Sequence, residues 1–256
     1  MIAVPTDTVV SARELSLWYG DFQALDNVAL DVQQGEILAL IGPSGCGKST
    51  LLRCMNRMND APGVRTTGHL QVAGYDLQSE ATDVLALRRH VGMVFQRPNP
   101  LPLSIRENVL FGMRLHAPKT PRQRLNDLLE DALRTVGLWN HVKDRLDTPA
   151  EALSLEGRQK LCVARLLPLK PRVLLMDEPC SALDPDGTQA VEELMLTLRG
   201  QFTQIVVTHN MQQARRISER CAFMLLGQLV EIAPTQLMFA SPSDERTSRY
   251  IEGRFG

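Results

Sequence analysis

"GPSGCGKST" occupies positions 42–50 and decides the fold of this chain. The apolar run "ILALI" at positions 37–41 leads directly into it, and a helical pattern, "STLLRCMNRM" at positions 49–58, follows it. A short apolar run that ends in glycine-rich sequence before a helical pattern predicts a strand, a loop and a helix in succession. We therefore predict an α/β fold in which this loop joins the strand to the helix.

The loop has the spacing G-x-x-x-x-G-K-[ST] that is typical of phosphate-binding loops. Its glycines allow backbone N–H groups to curl around phosphate oxygens, and the following helix adds its positive end. Lys48 can neutralise the outer phosphates, and the Ser49 hydroxyl can bind Mg²⁺. We expect the Cys46 side chain only to fill a small space within the loop, with no redox role. The predicted phosphate-binding residues are Gly42, Pro43, Ser44, Gly45, Cys46, Gly47, Lys48, Ser49 and Thr50.

Two further apolar runs, "VLLMDE" at positions 173–178 and "QIVVTH" at positions 204–209, end in polar residues. Both are typical of buried parallel strands, whose carboxyl ends carry the site in open α/β sheets. At the end of the first run, Asp177 can hold Mg²⁺ through water, and Glu178 can polarise the attacking water as a general base. His209 ends the second run, where its side chain can reach a terminal phosphate.

The rest of the chain indicates one domain with a helical insertion. "PRQRLNDLLEDALRTVGL" at positions 121–138 has leucines at helical spacing, and positions 97–167 lack apolar runs of strand type. "CAFMLLGQLVEIA" at positions 221–233 predicts a hairpin that turns at Gly227. The expected division of the single domain 1–256 is an α/β core at 11–96 and 168–235, a helical subdomain at 97–167 and a C-terminal segment at 236–256.

Composition excludes several classes of function. The 256 residues carry 28 Lys plus Arg and 29 Asp plus Glu, so no global basic field favours a nucleic-acid partner. Five scattered cysteines have no metal-type spacing, and their odd number argues against a complete disulfide framework, so we expect a reducing cytoplasm. The N-terminal sequence has no signal-peptide pattern, and no apolar run approaches the ~20 residues of a spanning helix. We expect a protein that neither crosses nor leaves the membrane by itself.

Together these motifs resemble the ATP-binding subunit of ABC transporters, nearly end to end. The resemblance implies a P-loop NTPase (RecA-like) α/β core with an antiparallel β region and an inserted α-helical subdomain, and ATP and Mg²⁺ as cofactors. In that family an aromatic residue stacks on adenine; Tyr19 matches it, with Trp18 as the alternative. Gln96 in "MVFQRPNP" matches the glutamine that reaches Mg²⁺ and the water, and His209 matches the switch histidine. We expect His209 to position the terminal phosphate and the water, with Glu178 as the base.

The family's LSGGQ signature, which contacts the nucleotide of the other subunit, aligns with "LSLEG" at positions 153–157. The residues implied in this contact across the dimer are Ser154, Leu155, Glu156 and Gly157, together with Asp184 of the "SALD" loop. Ser154 can cap the following helix and retain an anion site, whereas the Leu155 side chain must be turned aside. Gly157 cannot complete the capping box that the family's glutamine would form.

Glu156 adds a negative charge towards a negative ligand. At ~5 Å from the γ-phosphate and an effective dielectric constant of ~20, each pair of unit charges would cost about 3 kcal/mol. The alternative is that Glu156 points to solvent and gains ~0.3–1 kcal/mol from the helix dipole. Pro168 predicts that this helix stops by about Leu167.

Several strings are similar to the phosphate-import branch of the family: "CMNRMND", "FQRPNPLPLSIRENV", "DEPCSALDP", "THNMQQA" and "YIEGRFG". This resemblance implies a second ATP-binding subunit, two membrane permease subunits, an external phosphate-binding protein that acts indirectly, and a peripheral position on the cytoplasmic face of the bacterial inner membrane. "RPNPLPLSIRENV" is the expected permease contact, and an ordinary surface loop is the alternative. Other functions left open are a slow ATPase that needs a partner with an intact signature, an ATP-dependent dimerising switch, and an importer ATPase for another substrate.

Overall fold

The computed structural model describes residues 7–254, so positions 1–6 and the last two residues of "YIEGRFG" lie outside the described part. The described residues form ten strands: β1 (Thr8–Tyr19), β2 (Phe22–Gln33), β3 (Ile37–Ile41), β4 (Val64–Val72), β5 (Tyr75–Asp76), β6 (Val91–Val94), β7 (Val173–Asp177), β8 (Thr203–Val207), β9 (Arg220–Leu225) and β10 (Gln228–Pro234). They also form ten α-helices: α1 (Lys48–Cys54), α2 (Val84–His90), α3 (Ile105–His116), α4 (Arg122–Thr135), α5 (Trp139–Val142), α6 (Leu155–Ala164), α7 (Pro185–Leu198), α8 (Met211–Ile217), α9 (Thr235–Ala240) and α10 (Glu245–Ile251). Short 3₁₀ turns cover Ala150–Ala152 and Leu167–Leu169.

A six-stranded sheet carries the predicted site. Its order is β10-β9-β3-β8-β7-β6, and all neighbouring pairs are parallel except β9 with β10. The central strands β3, β7 and β8 are buried along their whole length. Strands buried on both faces require the near-continuous apolar runs that predicted them. The α/β fold with its three parallel strands is therefore confirmed.

Two of these strands are shorter than the runs that predicted them. β7 ends at Asp177, and the Glu178 N–H donates to the Val207 carbonyl at 3.0 Å with a left-handed φ of 47° at Glu178. β8 ends at Val207, and Asn210 serves as the N-cap of α8. The prediction that His209 ends the strand is thus wrong by two residues, and His209 lies in the connection that follows.

The second sheet is antiparallel, with the order β2-β1-β4-β5. Its inner side chains and one face of the six-stranded sheet enclose α1. Leu17 of β1, Leu40 of β3 and Leu52 of α1 lie in one buried cluster. The predicted antiparallel region therefore covers the helix that follows the phosphate loop.

Helix α1 is shorter than the helical sequence pattern at positions 49–58 that predicted it. It ends at Cys54 rather than near Met58, and Arg57 has a left-handed φ of 57°. The Asn59 side-chain amide donates to the Thr50 carbonyl at 2.8 Å, which folds the following turn back onto the helix.

Helices cover the opposite face of the six-stranded sheet. Side chains of α3, α4, α6 and α7 share one cluster with strand residues such as Leu174 and Val206. α4 lies between Pro121 and Gly137, and α6 ends at Ala164 before Pro168, as the helix-stop residues predicted. Among the described residues, no helix is long and apolar enough to span a membrane.

The predicted hairpin connects β9 and β10 through Leu226 and Gly227, with φ values of 48° and 83°. Two successive positive φ angles are typical of a two-residue hairpin turn. The Gly227 N–H donates to the Cys46 carbonyl at 3.0 Å, so the hairpin tip supports the phosphate loop.

Candidate nucleotide-binding site

The loop between β3 and α1 encloses the Lys48 side chain. The Lys48 ammonium donates to the carbonyl oxygens of Gly42 and Pro43 at 2.7 and 2.8 Å, and the residue is 6 % exposed. Since a buried ammonium needs partners, these carbonyls hold the charge in the loop. Polyphosphate oxygens are a stronger partner for the same ammonium than neutral carbonyls are.

Two loop positions require glycine. A Cβ on Gly42, whose φ is 147°, would lie 2.2 Å from the Met224 carbonyl oxygen. A Cβ on Gly47, whose φ is 103°, would lie 2.8 Å from the Ala24 carbonyl oxygen. Larger residues would therefore both clash and strain the backbone.

The loop opens onto a cavity of about 190 Å³ whose walls carry polar groups and backbone. Its lining residues are Ser44, Gly45, Gly47, Lys48, Ser49, Thr50 and Glu178. The cavity thus joins the predicted phosphate loop to the predicted general base.

An oxygen pair lies beside this cavity. The Ser49 hydroxyl donates to Oδ1 of Asp177 at 2.7 Å, and Asp177 is 5 % exposed. In residues 7–254 no group of three or more His, Cys, Asp or Glu residues could hold a metal ion. A single carboxylate and a hydroxyl are instead suited to Mg²⁺, which completes its shell with water and substrate phosphates. The structure therefore brings together two residues that fit the predicted ion.

Arg53 is a site residue that the sequence reasoning missed. Its Nη2 lies 3.4 Å from Oδ2 of Asp177. Arg53 follows Ser49 by four positions on α1, so both side chains share one helix face. That spacing places Arg53 beside Ser49 but does not by itself predict the contact with Asp177.

Glu178 lies at the centre of a second cluster. Its Oε2 lies 3.2 Å from Nδ1 of His209 and accepts a hydrogen bond from Nε2 of Gln96 at 3.1 Å. Glu178 comes from the end of β7, Gln96 follows β6 and His209 follows β8. The adjacent parallel strands thus bring three predicted residues to one carboxylate, and a carboxylate in this position can accept a proton from water.

The two aromatic candidates differ in their environment. The Arg65 guanidinium lies over the Trp18 ring at 3.7 Å from the ring centroid, which covers one face of that ring. Tyr19 is 38 % exposed, and its hydroxyl donates to Oδ1 of Asn59 at 3.0 Å. One face of the Trp18 ring is therefore already occupied, whereas Tyr19 is an exposed residue.

The predicted signature residues begin α6. The Ser154 hydroxyl accepts from the Gly157 N–H at 3.1 Å, which is the expected N-cap, and Leu155 is 42 % exposed. Glu156 does not simply point to solvent, because its Oε1 pairs with Nζ of Lys160 at 2.6 Å. Lys160 lies four positions later and was not identified from the sequence.

Asp184 lies near the signature. It caps α7 by accepting from the Gly187 N–H at 2.7 Å, and the Glu156 Cβ is 3.5 Å from the position of a Cβ on Gly187. Among the side chains of residues 7–254, no hydrogen bond or ion pair joins the start of α6 or the start of α7 to the phosphate loop. Within one chain the signature and the loop therefore remain separate.

All five cysteines are free and buried. Burial raises the pKa of the Cys46 thiol, although nearby Lys48 opposes the shift. Burial likewise raises the pKa of Cys54 to about 12 and that of Cys180 to about 11. Protonated, enclosed thiols agree with a filling role for Cys46.

The chain is similar in sequence to known proteins. The ABC transporter family model matches residues 25–181. The chain is 49 % identical, over 98 % of its length and 92 % of the relative, to the phosphate import ATP-binding protein PstB 2 of Shouchella clausii. It is also 49 % identical, over 97 % of its length and 90 % of the relative, to the phosphate import ATP-binding protein PstB of Pseudoalteromonas translucida.

Two solved structures share the fold. One is cbiO1 of Clostridium perfringens, with a TM-score of 0.80, 24 % identity and coverage of 97 % of both chains. The other is a dimeric, post-hydrolysis state of the ATP-binding cassette MJ0796 bound to ADP and Pi, with a TM-score of 0.75, 25 % identity, and coverage of 88 % of this chain and 98 % of that one. The fold, the phosphate loop and these relatives lead to one conclusion: the chain belongs to the ABC transporter family, among its ATP-binding proteins.

Proposed function

We propose that this chain is the ATP-hydrolysing subunit that powers inward transport of inorganic phosphate through a membrane ABC transporter. The observation that carries this function is the carboxylate of Glu178, which lies beside the phosphate-loop cavity and contacts both Gln96 and His209. The two relatives whose names describe phosphate import match nearly the whole chain, which supports phosphate as the substrate.

In this proposal the phosphate loop and Lys48 bind the ATP phosphates, and Tyr19 stacks on the base. Ser49, Asp177 and Gln96 would hold Mg²⁺, which when bound would neutralise developing charge on the phosphates. Glu178 accepts the proton of the attacking water, while His209 orients the water and the terminal phosphate. Gln96 and His209 fix the carboxylate by contacting the same oxygen.

A second ATP-binding subunit is expected to complete the site. Leu155 and Ser154 begin α6 on an accessible surface, and a dimer would place this start against the partner's nucleotide. We infer a homodimer, with residues 97–167 as the helical signature subdomain. The dimeric state of the MJ0796 cassette supports this arrangement.

The segment "RPNPLPLSIRENV" at positions 97–109 is the proposed permease contact. Buried Asn108 holds it through hydrogen bonds with the backbone of Leu101 and Leu103, so the segment has a fixed shape. On the adjoining helix α3, Phe111 and Leu115 are 44 % and 63 % exposed and lie four positions apart. Such an apolar pair suits a peripheral contact with two membrane permeases at the cytoplasmic face of the inner membrane.

A dimerising switch with negligible turnover is the second candidate, and the altered signature is the observation that favours it. ATPase activity of the chain, alone and with its permease, separates the two functions. Mg²⁺-dependent ATP turnover that Glu178→Gln abolishes supports the enzyme. Dimerisation on ATP without turnover, both alone and with the permease, would refute it. Phosphate uptake into vesicles that contain the assembled transporter, compared with uptake of sulfate, tests the substrate.

A further inference from the structure

The middle of α6 contacts the chain that follows β6. The Gln159 side chain is buried at 1 % exposure, and its Nε2 donates to the Phe95 carbonyl at 3.2 Å. This carbonyl belongs to the peptide unit that joins Phe95 to Gln96. One hydrogen bond from α6 therefore holds the backbone of a residue whose side chain contacts Glu178.

Phe95 is fixed on its other side as well. Its half-buried ring packs against the buried cluster that contains Leu40 of β3 and Leu52 of α1. The ring is thus held by the core under the antiparallel sheet, while the carbonyl is held by α6. Between these two contacts the Phe95–Gln96 peptide unit has little freedom to rotate.

Two further side chains of this helix contact Asn99. Sγ of Cys162 lies 3.7 Å from Oδ1 of Asn99, and Nη1 of Arg165 donates to the Asn99 carbonyl at 3.1 Å. Cys162 and Arg165 follow Gln159 at intervals of three positions, so neighbouring members of the set share one side of the helix. Gln96 therefore lies between two points of the chain that α6 anchors.

The second polar atom of the Gln159 side chain argues against a purely structural role. Its Oε1 is buried and has no hydrogen-bond partner among the residues that the structure describes. Burial of an acceptor without a partner destabilises the folded state. Because an apolar side chain of similar length would avoid this cost, stability alone does not account for a glutamine at this position.

We propose that Gln159 is a positioning residue for ATP hydrolysis, which fixes the Phe95–Gln96 peptide unit and thereby holds the Gln96 side chain on Glu178. This inference rests on the proposed roles of Gln96 and Glu178. A reacting group is held precisely when the residues that contact it are themselves held by their surroundings. A small displacement of Gln96 therefore lowers the rate of hydrolysis, whereas ATP binding by the phosphate loop is unaffected.

Gln159→Met tests this role, because it keeps the length of the side chain and removes both polar atoms. We expect kcat in a steady-state ATPase assay to fall about threefold to tenfold. The Kd for ATP, measured by calorimetric titration, should stay within about twofold, since the phosphate loop is unchanged. In a Gln96→Ala background the same substitution should lower kcat less than about twofold, because Gln159 acts through Gln96.

Gln204→Met is the matched control. Gln204 is fully buried, its Nε2 donates to the Met195 carbonyl at 2.9 Å, and its Oε1 likewise has no partner within residues 7–254. It lies near the start of β8, at the opposite edge of the sheet from Glu178. We expect it to change the Tm about as much as Gln159→Met does, but to lower kcat less than about twofold.

A kcat for Gln159→Met that matches the control overturns the proposal, and so does an equal loss with and without Gln96. Gln159→Leu is measured in the same way and gives the same test should Gln159→Met fail to fold. Gln96→Ala alone separates the two levels. If its kcat is unchanged, the proposed role of Gln96 is wrong and that of Gln159 falls with it. If its kcat falls but that of Gln159→Met does not, only the positioning by Gln159 is refuted.

Discussion

Nδ1 of His209 lies 3.2 Å from Oε2 of Glu178, so the imidazole and the carboxylate share a contact across two neighbouring strand ends. Gln96 donates to the same oxygen at 3.1 Å. The Glu178 backbone has a left-handed φ of 47°, and its N–H donates to the Val207 carbonyl. A non-glycine residue in this region carries strain, and such strain is concentrated at functional sites. The geometry favours one carboxylate as the proton acceptor and two neighbours that orient it.

Glu178→Gln tests the proton acceptor. The amide keeps the shape of the side chain but cannot take a proton from water, so we expect kcat to fall at least ~100-fold. The Kd for ATP should stay within about threefold, because the phosphate loop is unchanged. Turnover in a steady-state ATPase assay that remains above a tenth of the original would assign the base to another residue.

His209→Ala tests the orienting residue. Loss of the imidazole removes the contact with Glu178 while the carboxylate remains, so we expect kcat to fall about tenfold to 100-fold with ATP binding retained. His141→Ala provides the control, because His141 is exposed on α5 outside the cluster. Unchanged turnover in His209→Ala would exclude His209 from the reaction.

Much of this fold could be predicted because its signals are local. The apolar runs of β3, β7 and β8 are continuous, since these strands are buried on both faces. The glycines at positions 42 and 47 are required by the backbone itself. Parallel strands then place Asp177, Glu178 and His209 at the same sheet edge, which explains why their grouping followed from sequence.

The contacts that could not be predicted depend on side-chain direction or on distant segments. Arg53 and Lys160 each lie four positions from a predicted residue, but many such pairs on a helix never meet. Tyr250 stacks on Phe223 only after the chain has passed through both sheets. Likewise, the Asn59 side-chain amide donates back to the Thr50 carbonyl after α1 has ended at Cys54.

Lys160 should shield the charge of the altered signature. Its side chain is 13 % exposed and pairs with Glu156 at 2.6 Å, so the ammonium offsets a carboxylate that would otherwise repel phosphate. We expect Lys160→Met to lower ATP turnover about fivefold to tenfold in the unaltered chain. In a Glu156→Gln background the same change should cost less than about twofold, since no charge remains to be shielded.

The unaltered chain, Lys160→Met, Glu156→Gln and the double variant form a double-mutant cycle. The Tm of each protein is recorded alongside its ATP turnover. Lys160→Met retains an apolar stem of similar length, so packing is largely preserved. An equal loss in both backgrounds would mean that Lys160 acts through packing rather than through Glu156.

Rebuilding the family signature is the most direct test of what the altered sequence does. The triple change Leu155→Gly, Glu156→Gly and Gly157→Gln removes an exposed apolar side chain and a charge, and restores the glutamine that can complete a capping box with Ser154. We expect turnover of the homodimer to rise several-fold, rather than the ~100-fold or more that an unshielded charge at about 3 kcal/mol would give, because Lys160 already offsets Glu156. The new Cβ at position 157 would lie 3.2 Å from Oγ of Ser154, and two helical glycines cost up to ~1 kcal/mol each, so the Tm should fall. The single change Gly157→Gln separates the effect of packing at position 157 from the effect of removing Leu155 and Glu156. A homodimer whose turnover does not rise after the triple change would show that the altered signature does not impair hydrolysis.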